Sequence, residues 1–353
     1  MPVQGFTRLR KQQFGRQASF GTKVAAKRAY PFRGVPDPNL NWTDPDIDVG
    51  SVDPVASPIR GIPALTAALT DSGLKYNNIP IIMSAMFGGG VTPTAAATAW
   101  NWTHEPASST PLDEYDAFTY EFGDDVLTDY FQFGDGTLDR LEVTGPEGLA
   151  ALTTSMTWRF GSVSSTGSTD SPVTGTVPTP GLTVGTSDVV VYLKDASVFI
   201  ATDFYDLDSS QINDALHSFV LRVNQATDEK RWANGTQTFD VSAFGRGART
   251  IEWELTLAKT AETVGLGSES DAWMSDNVVN RYIKIAFESV EDAAAATPYS
   301  WEISSPIRYF TRADDAVGGN TVIRLTGHSF FDDSDFNGVF RSVAVNTLAT
   351  AGL

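Results

Sequence analysis

The most constraining feature of this chain is one order of strand, helix and strand patterns that occurs twice. In the second half, residues 251–257 alternate apolar and polar side chains, 261–277 do not alternate, and 282–288 alternate again. In the first half, a strand-like segment at 59–70 leads into 77–87, which predicts a short helix, and then into a second strand-like segment at 100–102. Alternation with a period of two is typical of half-buried strands. The repeated order therefore predicts two related β-rich modules, which favours an architectural protein over one with a single active site.

Composition along the chain predicts five segments. Residues 1–56 are interrupted throughout by Gly and Pro and predict an extended arm. Residues 57–161 and 188–333 are the two β modules, and 162–187 between them are rich in Gly, Ser, Thr and Pro, which predicts a linker or a long surface loop. Residues 334–353 form a tail that either folds back as a strand or stays an arm. The predicted fold class is mainly β, with two tandem sandwich or barrel modules that each hold a short helix, plus the arm.

A turn signal lies inside the first module. Residues 133–138 read FGDGTL, and an Asp-Gly pair accepts the positive φ angles that two-residue hairpins require. The pattern predicts a hairpin that joins strands at 130–133 and 138–143.

Charge is distributed very unevenly. The formal net charge is −18, yet residues 1–36 hold eight Lys or Arg residues and no acidic residue. A basic arm often binds nucleic acid, but the acidic body repels phosphate, and no aromatic stacking pattern accompanies the basic residues. The arm is therefore predicted to pair with the acidic surface of another copy of the chain. A solvated, disordered terminus is the alternative.

Several classes of protein are excluded by what the sequence lacks. The chain has no cysteine, which excludes disulfides, thiolate metal sites and cysteine nucleophiles. It has no apolar run of about 18 residues and no apolar secretory core, which predicts a soluble protein without a membrane partner.

No motif indicates an enzyme, and none predicts a cofactor or a metal. The three histidines, His104, His217 and His328, are far apart and lack metal-ligand spacing. The Walker pattern, the nucleophile elbow and the dinucleotide glycine motif are absent. Two acidic groups have oxygen ligands suited to calcium, but neither has the full binding loop; they are Asp203, Asp206 and Asp208, and Asp332, Asp333 and Asp335.

Six short motifs occur in an order that resembles the tail tube proteins, or major tail proteins, of long-tailed bacteriophages. The resemblance covers 14–161 best and the second module more loosely. The motifs are RQASFGTKVAAKR, LKYNNIPIIMSAMFGGG, TAWNWTHEP, YDAFTYEFGD, YFQFGDGTLDRLEVTGPEG and LTTSMTWRFG.

The resemblance implies a structural virion protein that is assembled in the host bacterial cytoplasm and located in the phage tail. Members of this family polymerise into stacked rings with an inner β-barrel wall, through which genomic DNA passes without specific binding. The internal repeat favours a ring of three two-module copies, and a ring of six stays open. A tape measure protein and a tail terminator are implied partners.

Specific residues follow as candidates. Arg8, Arg10, Lys11 and Arg16 are the candidates for inter-ring arm contacts, and a chain without residues 1–30 is expected to fold but not to stack. Strand parity makes Glu252, Glu254 and Glu288 the candidates for lumen-facing groups, where negative charge would repel DNA. The alternatives are a carbohydrate-binding β-sandwich protein, or another virion part such as a tail terminator or a capsid decoration protein.

Overall fold

The chain folds mainly into antiparallel strands, as predicted, and the computed structural model contains one α-helix among the residues it describes. The described residues are 10–24, 26, 28–29, 32–34, 36–39, 42–43, 59–60, 64–87, 93–96, 99–106, 117–124, 129–148, 150–165, 189–213, 215–230, 241, 243–264, 266, 281–317 and 319–348.

The described residues of the first half form twelve strands and helix α1 (Ile79–Phe87). The strands are β1 (Arg10–Arg16), β2 (Arg28–Ala29), β3 (Pro36–Asn39), β4 (Trp42–Thr43), β5 (Ile59–Arg60), β6 (Ala64–Asp71), β7 (Thr94–Ala96), β8 (Ala99–His104), β9 (Phe118–Asp124), β10 (Asp129–Gly145), β11 (Thr153–Arg159) and β12 (Ser162–Ser165).

In the part of the second half that the structure describes there are ten strands and two short 3-10 helices, Leu193–Asp195 and Leu207–Ser209. The strands are β13 (Ala196–Ala201), β14 (Gln211–Ile212), β15 (Leu216–Asn224), β16 (Thr227–Lys230), β17 (Ala243–Arg246), β18 (Thr250–Ala258), β19 (Arg281–Ala294), β20 (Thr297–Val317), β21 (Asn320–Ser329) and β22 (Arg341–Asn346).

Most strands belong to two large antiparallel sheets. The first sheet runs β3–β6–β11–β10–β15–β18–β21–β20. The second sheet runs β7–β8–β22–β20–β19–β13–β14. Strand β20 belongs to both, because Ile307 pairs with Arg281 of β19 on one side and with Ser329 of β21 on the other. A third, smaller sheet runs β2–β1–β9–β10–β12.

The inner faces of the first and second sheets pack on each other around one hydrophobic core. Phe219 of β15 and Phe287 of β19 have ring centroids 5.9 Å apart, which joins the two sheets across this core. Trp253 and Trp301 are fully buried in it. Burying an indole requires a partner for its N–H, and the two indoles donate to Ser329 Oγ at 3.1 Å and Ser342 Oγ at 2.9 Å.

Helix α1 lies inside this core. Every one of its residues is apolar or small, and all nine are buried, as expected for a helix without a polar face. Pro80 is tolerated because it occupies the first turn, where no intrahelical N–H bond is lost. The helix packs against β8, β10 and β22. No helix in the described ranges has the length and apolarity needed to cross a membrane.

The predicted hairpin at 133–138 is wrong. Strand β10 continues through this segment, with register shifts between Phe133 and Gly136 and between Leu138 and Arg140. Asp135 has φ of 56°, and a Cβ on Gly136 would lie 2.7 Å from the ring of Phe160. The Asp-Gly chemistry therefore builds a bulge rather than a turn, and the bulge carries β10 from the third sheet into the first.

The two halves of the chain share sheets and core, so the division into tandem modules stays a prediction. Strand β10 of the predicted first module pairs with β15 of the second, and β22 of the tail lies between β20 and β8. Residues 162–165 of the predicted linker form β12, while 166–187 lie outside the described residues. The second predicted helix falls mostly outside them too, and 261–264 form a turn.

Close backbone approach at the edge of the first sheet gives a testable prediction. Gly34 has φ of 135°, and a Cβ there would lie 2.1 Å from the carbonyl oxygen of Ala68. We expect Gly34→Ala to lower the free energy of unfolding by about 1–3 kcal/mol in urea titrations. Gly21→Ala is the matched control, because Gly21 also has positive φ (84°) but nothing within 4 Å of its added Cβ. Equal losses for the two variants would contradict this explanation.

Candidate functional site

The outer face of the first sheet is a continuous polar surface, called here the polar face. Its members are related by cross-strand pairing, such as Arg140 opposite both Thr157 and Asn224, and Glu254 opposite both Val220 and Thr326. Directly paired residues point to the same side of a sheet. The polar face contains Thr66, Ala68, Thr70, Ser155, Thr157, Arg159, Arg140, Glu142, Thr144, Val220, Arg222, Asn224, Glu252, Glu254, Arg324, Thr326 and His328.

Ion pairs cross the strands of the polar face. The guanidinium of Arg222 lies 2.9 Å from Glu142 Oε2 and 3.3 Å from Glu254 Oε2. Partial burial disfavours the charge of Arg222, but hydrogen bonds and attraction from these two carboxylates outweigh it and raise its pKa. Arg324 lies 3.9 Å from the other oxygen of Glu254. Half-exposed pairs of this kind each stabilise the fold by at most about 1 kcal/mol. They therefore determine the distribution of charge on the surface more than the stability of the fold.

Two of the three predicted lumen-facing residues lie on the polar face. The side chains of Glu252 and Glu254 are 45 % and 30 % exposed, and His328 Nδ1 lies 3.7 Å from Glu252. Glu288 lies instead on β19 of the second sheet, opposite Ser300. Because the two sheets pack inner face to inner face, one surface cannot present all three carboxylates. A position in a lumen stays a prediction for each residue.

The polar face is also less acidic than the whole chain. Arg140, Arg159, Arg222 and Arg324 balance Glu142, Glu252 and Glu254 on it. A depression of about 380 Å³ lies among Arg140, Glu142, Arg222 and Glu252. Most of the charges on the polar face therefore neutralise each other in pairs.

The described part of the predicted arm docks on its own chain. Strand β1 pairs with β9 along its whole length, and Phe14 is fully buried. Arg10 and Lys11 contribute backbone to β1, Arg16 is exposed at its end, and Arg8 lies outside the described residues. Removing residues 1–30 would delete a core strand, so the expectation that this truncation folds does not fit the structure. A truncation of residues 1–9 leaves β1 intact.

The two acidic loops noted in the sequence lie on either side of Tyr282. The rings of Phe204 and Phe336 join the loops edge to face at 5.3 Å. Burial raises the pKa of Tyr282, and the charges of Asp332, Asp335 and Asp203 raise it further. Within the described residues, no group of three or more His, Cys, Asp or Glu side chains has a geometry that could hold a metal ion.

Asp332 organises one of these loops. Its carboxylate accepts hydrogen bonds from Tyr282 OH at 2.8 Å, Phe336 N at 3.0 Å, and Ser334 N and Oγ at 3.1 and 2.7 Å. Burial alone would raise the pKa of Asp332, but these bonds outweigh it and hold the pKa at about 2. The sequence marked Asp332 only as part of an acidic run, because Tyr282 is 50 positions away.

Asp332→Asn is expected to lower the free energy of unfolding at pH 7 by roughly 1–3 kcal/mol, because the amide N–H groups would face donors. A depressed carboxyl pKa stabilises the fold above the unfolded value of 3.8, and this contribution is lost as pH falls through about 2. The penalty should therefore shrink between pH 4 and pH 2 in urea titrations. Asp333→Asn, at an exposed neighbour, should have little effect; a penalty for Asp332→Asn that does not change with pH would contradict the role of the carboxylate.

No protein-family model and no curated protein matches the chain.

Proposed function

We propose that this chain is a structural subunit of a phage tail tube, which polymerises into stacked rings and forms the conduit for genomic DNA. The observation that carries the proposal is the polar face. It is the exposed side of a wide antiparallel sheet whose other side is buried in the core. A ring of such sheets, with the polar faces turned inward, would enclose a hydrophilic channel. The sequence resemblance supports the same assembly, and the subunit has no chemistry of its own in this proposal.

Paired charges suit a conduit for DNA. A protein that neutralises phosphates with free Lys or Arg releases counterions and binds tightly. On the polar face, Arg222 already has two carboxylate partners and Arg324 has Glu254 and Asp315. These cations therefore gain less from a phosphate than unpaired ones would. The channel would let DNA slide because most of its arginines are paired with carboxylates, rather than because all of its charges repel the phosphate backbone.

Electron microscopy of the purified chain tests the proposal directly. Tubes or stacked rings are the expected result, and a native mass measurement on isolated rings would distinguish three copies from six. Monomers alone, at every protein and salt concentration that keeps the protein folded, would contradict the proposal. A glycan array is the parallel test of the carbohydrate-binding alternative.

The role of paired charges can be measured separately. Glu142→Gln with Glu254→Gln should remove both carboxylates that pair with Arg222 and leave Arg324 with Asp315 alone. We expect this double variant to bind a short DNA duplex several-fold more tightly than the wild-type chain at low salt, with the gain lost by about 0.2 M salt. Asp333→Asn with Asp335→Asn removes the same charge away from the polar face and serves as the control. Equal DNA binding by both double variants would contradict the proposed role of the paired charges.

A further inference from the structure

The loop between β13 and β14 is anchored on the outer side of the second sheet. Its 3-10 helix, Leu207–Ser209, packs against β13 and β19, and Leu207 is buried there. The ring of Phe204 is a second anchor, because its centroid lies 5.9 Å from that of Tyr282 on β19. These two contacts hold the loop at a fixed place beside β19.

Lys284 of β19 lies beneath this loop. Its side chain is 9 % exposed, whereas those of Lys230 and Lys259, which also pair with carboxylates, are 48 % and 31 % exposed. The Nζ of Lys284 donates a hydrogen bond to the Asp208 carboxylate in the loop. It also lies 4.2 Å from the centroid of the Phe199 ring on the neighbouring strand. The amine is therefore held in one place against one carboxyl group, with little access to water.

A second carboxyl group lies beside the same amine. Lys284 pairs with Ser304 of β20 and Ala286 pairs with Glu302, so Glu302 is a diagonal neighbour of Lys284 on one face of the sheet. Its Oε2 lies 3.9 Å from Lys284 Nζ. Burial raises the pKa of Glu302, and attraction to Lys284 offsets this only in part. A carboxyl group of this kind is suited to take up a proton and return it.

We propose that Lys284 and Asp208 join in an amide bond, with Glu302 carrying the protons. The Nζ of Lys284 attacks Cγ of Asp208, an Nζ–Cγ bond forms, and one oxygen of the carboxylate leaves. The ammonium group loses two protons, and Glu302 passes both to the leaving oxygen. One water molecule is released, and the step needs no oxidant, reductant or other reactant. The Asp208 side chain is 88 % exposed, which gives this water a path into solvent.

Fixed geometry supplies the driving force that free amines and carboxylic acids lack in water. Well-oriented groups in one molecule can reach effective concentrations of about 10⁵–10⁸ M. In a buried site, moreover, proton transfer within an ion pair leaves two neutral groups, whose burial costs less than that of two charges. Lys230 and Asp228 are also in contact, but their side chains are 48 % and 65 % exposed. We expect them to remain an ion pair.

The bond would connect two positions that lie 76 residues apart and would lock the loop onto β19. It forms within one chain, so it goes beyond the proposed tube and does not depend on it. A covalent link that closes a long loop stabilises a fold mainly by restricting the unfolded chain.

The intact mass of the purified, denatured chain tests the proposal. The wild-type chain should be lighter than its sequence by one water molecule, and a protease digest should contain one branched peptide that joins the segments around Asp208 and Lys284. Lys284→Arg and Asp208→Ala should each have the full mass of their sequences. Glu302→Gln keeps both reacting groups, and its joined fraction should be at least about tenfold lower after the same time from purification. Lys230→Arg is the matched control and should lose the water like the wild type.

Thermal melts give a second measurement. Asp208→Ala should melt roughly 5–10 °C below the joined wild-type chain, whereas loss of an exposed ion pair alone would change the melting temperature far less. Circular dichroism should show the same fold in both. A wild-type chain at its full sequence mass would overturn the proposal, and so would a loss of water that Lys284→Arg retains. Joining of Glu302→Gln at the wild-type rate would overturn the step as written.

Discussion

Replacing Phe14 with alanine is expected to lower the free energy of unfolding by about 3–5 kcal/mol, the usual loss for a large aromatic side chain in a core. Phe14 is fully buried, and its ring centroid lies 4.7 Å from that of Tyr120 and 4.9 Å from that of Trp158. Phe32 covers it edge to face at 6.1 Å. The cavity left by alanine would remove all these contacts. Urea denaturation followed by tryptophan fluorescence measures the loss.

Phe20→Ala is the matched control for this prediction. Phe20 belongs to the same N-terminal region but is 37 % exposed, and its ring centroid lies 5.9 Å from that of Phe244. Its loss should be much smaller than that of Phe14→Ala. Similar small losses for both variants would mean that β1 is a loosely attached arm, as the glycines and prolines of 1–56 predicted. A large loss for Phe14→Ala would show that β1 is part of the folded body of the protein. Any separate basic arm would then end before Arg10.

This distinction matters for assembly experiments. A truncation of residues 1–30 removes Phe14 along with the basic residues, so failure to stack could result from misfolding alone. A truncation of residues 1–9 removes Arg8 and keeps β1 whole. If stacking depends on the basic segment, the shorter truncation should fold with an unchanged melting temperature and stack poorly.

Local patterns predicted the elements whose structure depends on neighbours in the sequence. The alternation of 251–257 identified β18 and its buried face, with Trp253 and Leu255 inside and Glu252 and Glu254 on the polar side. The apolar run at 77–87 identified α1. In β18 the side-chain period alone decides which residues are buried, whereas every residue of α1 is buried.

Features that depend on distant partners could not be predicted in this way. The Asp-Gly pair in β10 suits either a turn or a bulge, and the choice is made by β9 and β12 on one stretch and β11 and β15 on the next. Asp135 also accepts a hydrogen bond from Gly21 N at 2.6 Å, across 114 positions. Likewise, the alternation of side chains predicted that Glu254 points away from the core. Only the order of the strands in the sheet places Arg222 between Glu254 and Glu142, where it balances their negative charge.

His104 shows the same limitation, and it leads to the second prediction. The sequence showed only that His104 lacks the spacing of a metal ligand, whereas the fold places it fully buried on β8, beside α1 and β22. Its Nε2 lies 3.1 Å from Ser84 Oγ, and its Nδ1 has no partner among the described residues. Burial lowers the pKa of His104 to about 4 from its ordinary value of 6.5. The imidazole is therefore neutral in the folded chain over a pH range in which the unfolded chain binds a proton.

The sign of the pH dependence follows from that difference. Between pH 6.5 and 4 the unfolded state binds more protons at His104, so the free energy of unfolding falls as the solution is acidified. The full loss is on the order of 3 kcal/mol, since one pKa unit corresponds to about 1.4 kcal/mol. Three carboxyls act in the opposite direction, because burial raises the pKa values of Asp71, Glu121 and Glu302. A comparison with a variant is needed to separate the histidine from them.

His104→Phe with Ser84→Ala provides that comparison, because it keeps a ring beside Trp102 and leaves no hydroxyl unpaired at that site. Urea titrations at half-unit steps from pH 7.5 to 4 should show wild type losing about 3 kcal/mol relative to the double variant, with most of the loss between pH 6.5 and 4. His217→Gln changes a histidine that lies beside Glu147 near the surface and should follow the wild-type curve. Parallel curves for wild type and the double variant would show that His104 takes up its proton in the folded chain, and the buried, neutral imidazole described here would be ruled out.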